Sequence, residues 1–183
     1  MKNKITLLYG GAGAGKTYET AKSFLLRASD KQFKIVALRK VGATLKGSVW
    51  NNLHTIICDL NIDGWGLVKS KLRFKHINGS IIDCRTPKNI NDKYDEYWWE
   101  EATEFSKKDF DQLNKSGVHI LTFNPPQDNK HWLNNIRERK GTRLINVNYK
   151  NNKHIDKSFK KELRNLKNVD ADYYNRYCLG KWG

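Results

Sequence analysis

The chain has 183 residues, 38% of them hydrophobic and 11% aromatic, and its 34 Lys and Arg against 19 Asp and Glu give a net charge of +15. That length suits one domain with a real core, excludes wholesale disorder, and the charge favours polyanionic partners such as nucleic acid or nucleotides. No apolar run approaches the ~20 residues of a membrane helix, the apolar stretch at residues 5–9 is too short for a signal peptide, and the scattered Cys58, Cys84 and Cys178 form neither a disulfide scaffold nor a zinc ribbon, pointing to a reducing cytosol.

Strands and helices alternate, which predicts an α/β layer fold. An apolar strand at residues 5–9 is followed by a glycine loop and a helix over 16–28. A buried-type strand spans 34–39. Leu45, Val49, Leu53, Ile56, Ile57 and Leu60 recur at helical spacing and predict a helix over 44–60. Residues 71–77 and 80–85 flank Asn78-Gly79, a dipeptide that favours positive φ at both central turn positions, and so predict a β-hairpin. A polar loop at 86–93 leads to a strand over 94–99 that ends in Glu100-Glu101. Ser106 caps a helix to about 115, and a strand over 119–124 is stopped by Pro125-Pro126. The rest predicts a helix near 131–139, a strand near 143–149, and helices near 157–166 and 171–179. Residues 127–183 carry 14 basic and 6 acidic side chains. Either a solvated lysine-rich surface or a nucleic-acid face accounts for them.

Gly10-Gly11-Ala12-Gly13-Ala14-Gly15-Lys16-Thr17 fills every fixed position of G-x-x-x-x-G-K-[ST], with a strand before it and a helix after it. Its glycines let successive backbone N–H groups turn inward around phosphate oxygens, and the helix dipole adds positive potential. The nucleotide-binding set is therefore Gly11, Ala12, Gly13, Ala14, Gly15, Lys16 and Thr17. Lys16 would reach the β- and γ-phosphates and Thr17 would hold Mg²⁺. A loop of this kind does not say whether the nucleotide is hydrolysed or only held. Glu100 and Glu101 at a strand end bear on that question: Glu100 would orient the metal and Glu101 would polarise the attacking water. An exposed helix start is the plain alternative for these acids, and Asp95-Glu96 is the competing register. Thr122 and Asn124 close the next strand, where a polar side chain could sense the γ-phosphate. Arg39, at the end of the second strand, is the first candidate for stabilising the transferring phosphoryl group, ahead of Arg85, Arg137, Arg139 and Arg143. The five histidines form no H-x-x-x-H pattern, and the six tryptophans read as core or interface rather than a base-stacking ladder.

Five blocks occur in order. They are the glycine loop, Leu38-Arg39-Lys40 with Ser48-Val49, Trp98-Trp99-Glu100-Glu101-Ala102-Thr103-Glu104-Phe105, Thr122-Phe123-Asn124-Pro125 with His131-Trp132, and Asn148-Tyr149-Lys150-Asn151-Asn152 leading to Leu179-Gly180-Lys181-Trp182-Gly183. Over nearly the whole chain this resembles the ATPase half of tailed-phage large terminase subunits, and the acidic block and the ending are more specific than the loop. The resemblance implies a three-layer RecA-like (additional-strand, catalytic-glutamate) P-loop fold with a mainly parallel sheet and an inserted β-hairpin. It implies Mg²⁺-dependent ATP hydrolysis driving double-stranded DNA into a procapsid in the host cytoplasm. Its partners would be the portal and the small terminase subunit, with a homo-oligomeric ring on assembly and no membrane. By position, Lys16 and Thr17 match the phosphate and metal ligands, Glu100 the metal-site acid, Glu101 the catalytic carboxylate, Thr122-Phe123-Asn124 the coupling motif and Arg39 a recurrent arginine. The RNase H-like nuclease that usually follows would begin where this sequence stops, so DNA cutting is not expected of it. Only nine residues precede the loop, which leaves the usual upstream adenine-contacting segment short or missing. A small P-loop phosphotransferase and a nucleotide- or DNA-binding remnant without turnover are the alternatives.

Overall fold

The computed structural model describes residues 4–183. Strand β1 (Lys4–Gly10) leads through the glycine loop to helix α1 (Lys16–Asp30), and β2 (Lys34–Leu38) follows. A π-helical turn (Lys46–Trp50) opens into α2 (Asn51–Asp59). Then come β3 (Trp65–Val68), β4 (Arg73–His76), β5 (Ile81–Arg85) and β6 (Glu96–Glu100). Helix α3 (Lys107–Leu113), β7 (Val118–Phe123), α4 (Trp132–Arg137) and β8 (Thr142–Val147) complete the sheet. The chain continues as α5 (Lys157–Val169) and α6 (Ala171–Tyr173), the latter running on as a π-helical turn (Tyr174–Cys178).

The eight strands form one sheet in the order β3-β4-β5-β2-β6-β7-β1-β8. Every neighbouring pair from β5 to β8 is parallel, and only β3–β4 and β4–β5 are antiparallel. Strand β7 stands between β1, which feeds the glycine loop, and β6, which carries the paired acids. This is the extra strand of the expected architecture. It brings the C-terminal ends of β1, β6 and β7 to one rim, where parallel sheets gather ligands.

Side-chain alternation builds the layers. Ile35 and Ala37 of β2 face a cluster with Phe24 and Leu25 of α1 and Leu53 and Ile56 of α2. Val36 and Leu38 face the opposite cluster, with Trp99, Phe110 of α3 and Leu133 of α4. Trp98 and Trp99 are fully buried on opposite faces, so the tryptophans of this block are core. A third, smaller cluster of Tyr149, Leu163, Tyr174 and Cys178 packs α5 and α6 beside the glycine loop. Among the described residues no helix is long and apolar enough to cross a membrane.

Two local features differ from expectation. The hairpin of β4 and β5 forms, but only Gly79 takes positive φ (91°). Asn78 is not in that region, and its side chain ties the turn to α1: Nδ2 donates to the Ala28 and Ser29 carbonyls at the end of α1, and Oδ1 accepts from Ser80 N–H. Its second strand, β5, also pairs in parallel with β2, so the hairpin is continuous with the main sheet. Strand β3, not expected, pairs with β4 and is anchored by Trp65 Nε1, which donates to Ser29 Oγ at 2.9 Å.

Candidate active site

The glycine loop turns through Gly13 (φ 69°) and Gly15 (φ 82°), and α1 begins at Lys16. Those φ values strain any residue with a Cβ, so the glycines set the loop's curvature. The loop is also gripped from behind. Ala12 N–H donates to Tyr177 O at 2.7 Å, and a Cβ on Gly11 would stand 2.2 Å from the Cys178 carbonyl oxygen. From the other side Asn152 Nδ2 donates to Gly13 O at 2.8 Å. The segment 177–180 and Asn152 thus hold the loop in shape from the far end of the sequence.

An open cleft of about 580 Å³ lies over this loop, lined by residues 12–18, by Gly47, Ser48 and Asn52 of the π-turn and α2, and by Glu100, Glu101, Asn124 and Asn152. Lys16 Nζ donates to Gly10 O (2.9 Å), Gly11 O (3.0 Å) and Asn124 Oδ1 (2.7 Å). Burial pulls its ammonium below the ordinary lysine value, opposed by the charges of Glu101 and Glu100.

Glu100 is 3% exposed. Burial pushes its carboxyl above the usual range, against hydrogen bonds from Thr122 and Thr17 that favour the charged form. Thr17 Oγ1 donates to Glu100 Oε1 at 2.5 Å, so a hydroxyl from α1 and a carboxylate from β6 sit together at the cleft. Thr122 Oγ1 donates to Glu100 Oε2 and accepts from Trp98 Nε1 at 2.9 Å. Glu101 follows with φ 55°, ψ 59°. That left-handed backbone costs a non-glycine residue about 1–2 kcal/mol and is a kind of strain that concentrates at functional sites. The turn ends β6 at this point, and Glu101 lines the cleft beside Glu100.

The expected residues are therefore gathered unevenly. Ala12, Gly13, Ala14, Gly15, Lys16, Thr17, Glu100, Glu101 and Asn124 line one cleft. Gly11 lies behind the loop against Cys178, and Thr122 sits beneath Glu100 as its support. Arg39 does not line the cleft. It is 7% exposed, with Nε donating to Thr44 Oγ1 (3.2 Å) and a terminal nitrogen paired with Glu104 (3.1 Å). Tyr18, Asn52 and Asn152 are cleft residues that sequence reasoning misses. Tyr18 follows the motif directly, and the Asn148–Asn152 block is visible in the sequence, but nothing local assigns either a task.

The match to the phage terminase large subunit family spans residues 2–181. The chain belongs to that family. Among solved structures, this terminase chain is similar to the large terminase of a thermophilic bacteriophage, with TM-score 0.76 and 16% identity over 99% of this chain and 48% of that one. It is also similar to the Thermus phage P74-26 large terminase ATPase domain, with TM-score 0.66 and 10% identity over 100% of this chain and 89% of that one. The first of these relatives has also been solved with ADP and with ATP-γ-S. At these identities the likeness is one of fold, and it supports the RecA-like reading. The terminase chain spans about half the length of that thermophilic phage protein. No curated protein sequence matches it significantly.

Proposed function

We propose that this chain binds ATP with Mg²⁺ and hydrolyses it, and that the hydrolysis drives double-stranded DNA into a phage procapsid. The observation that carries the reading is the contact of Thr17 Oγ1 with Glu100 Oε1 at 2.5 Å, with Glu101 on the same rim. Two hard oxygen ligands, one from a buried carboxylate, suit Mg²⁺, which takes one or two carboxylates and completes its shell with water and phosphate oxygens. The ion would neutralise charge on the β- and γ-phosphates when bound.

The chain's own residues do the rest. Backbone N–H groups of residues 13–17 cradle phosphate, and Lys16 exchanges its bond to Asn124 for a phosphate oxygen. Asn124, so released, reports whether a γ-phosphate is present. Glu101 accepts a proton from the attacking water. Thr122 and Trp98 hold Glu100 in place for the metal. Arg39 sits at the same end of the sheet, and freeing it from Glu104 would let it neutralise the transferring phosphoryl group. The basic surface would hold DNA through its phosphates without reading sequence. The relatives' description as terminases and the family match support this setting, which brings a portal, a small terminase subunit, a ring of copies and the host cytoplasm.

The test is Mg²⁺-dependent phosphate release from ATP with long double-stranded DNA present, comparing wild type with Glu101→Gln. Loss of a positioned general base lowers turnover by about 10²–10⁴-fold, and ATP binding should persist because Lys16, Thr17 and the loop are untouched. Equal activity of the two proteins would show that Glu101 is not the base.

A further inference from the structure

We propose that the nucleobase of the bound nucleotide docks on the aromatic pair Tyr18 and His154, which makes the segment after β8 the base-binding wall of the site. This rests on the ATP-binding reading above and adds the end of the ligand which that reading leaves unplaced.

The phosphate end is fixed by chemistry. Lys16 and the Thr17–Glu100 pair claim the terminal phosphates, toward Glu101 and Asn124. Backbone N–H groups of such a loop cradle the phosphates, and we place the nucleoside end of the ligand beside the residue after Thr17. That residue is Tyr18, the one aromatic side chain among those lining the cleft in the described residues. The Tyr18 ring lies 6.1 Å from the ring of His154, tilted by 41°. Tyr18 is half-buried, braced against the core formed by α1 and α2, and His154 is exposed. One ring is therefore held by packing while the other presents a face to solvent. Base–aromatic stacking needs such faces and little else.

His154 is tied to the phosphate loop itself. Its backbone N–H donates to Asn152 Oδ1 at 2.9 Å, and Asn152 Nδ2 donates to Gly13 O at 2.8 Å. A single asparagine thus fixes the distance between the phosphate cradle and the base wall. Across the cleft, Gly47, Ser48 and Asn52 offer small or polar groups and no ring.

The experiment compares binding of Mg²⁺–ATP with binding of Mg²⁺–tripolyphosphate, which has the phosphates and no base. Wild type, Tyr18→Ala, His154→Ala, Tyr18→Phe and His154→Phe are measured by calorimetry. Each alanine variant should weaken ATP about ten-fold, ~1.4 kcal/mol, and leave tripolyphosphate unchanged. Each phenylalanine variant should restore ATP. Because His154 is exposed, its variants test the idea even if Tyr18→Ala disturbs α1. ATP affinity unchanged in both alanine variants would overturn the proposal. So would parallel losses for ATP and tripolyphosphate, which would mean damage to the loop. Wild type binding neither ligand would remove the ATP reading itself, a different failure from a misplaced base.

Discussion

Burial acts in opposite directions on two groups of this sheet, Glu100 and His119, because desolvation always favours the neutral form. At Glu100 it raises the carboxyl against the hydrogen bonds of Thr122 and Thr17, leaving a carboxylate whose charged form a divalent cation would stabilise. At His119 it lowers the imidazole to about 4. The ring is fully buried and stacked on Tyr97 at 4.6 Å and 10°. Its Nδ1 accepts from Trp99 Nε1 at 3.1 Å, so the proton resides on Nε2, which donates to Ser116 O at 3.0 Å. The unfolded chain takes up a proton near pH 6.5, while the folded one does not until about pH 4. The neutral ring's contribution is therefore complete above pH 6.5 and is lost as the pH falls toward 4, to a depth on the order of 3 kcal/mol. Urea unfolding between pH 7 and pH 4.5 should show it. His119→Gln should be less stable at pH 7 yet lose less stability on acidification, and an unchanged pH slope in the variant would show that other groups set it.

The elements that shape the cleft come from both ends of the sequence, and this governs what each can tolerate. Gly11→Ala places a Cβ 2.2 Å from the Cys178 carbonyl oxygen, backbone that cannot swing aside. A strained core substitution of this kind costs about 1–3 kcal/mol, so melting should fall by several degrees and nucleotide affinity with it. Gly47→Ala is the control, since a Cβ there meets nothing within 4 Å. Its melting temperature should hold or rise, and an equal drop in both would remove the clamp from the account. The same separation explains what sequence could reveal. The glycine loop and Glu100-Glu101 are legible because their chemistry lies in adjacent residues. Asn152 is 139 residues from Gly13, and only the fold brings them together. Thr122 reads in sequence as a ligand-facing residue, and it is the parallel register pairing it with Glu100 that turns it to a supporting role. The four residues of β3 are too few to display a period.

For the whole molecule, a net charge of +15 is the dominant long-range property. Binding to DNA phosphates releases condensed counterions, so affinity for double-stranded DNA should fall linearly in log–log form with salt, by about 0.9 per phosphate contacted. Filter binding across a range of salt concentrations measures the slope, and a flat response would take DNA phosphates out of the mechanism. Sheet order has a different consequence, for synthesis on the ribosome. Strand β1 is made first, yet both its neighbours, β7 and β8, are made more than a hundred residues later. The carbonyls that brace the glycine loop come later still, at Tyr177 and Cys178. The nascent loop therefore waits, unsupported, through most of translation, and the cleft over it exists only in the finished fold. Contacts so distant in sequence close slowly, and until they do the apolar edge of β1 is open to other chains.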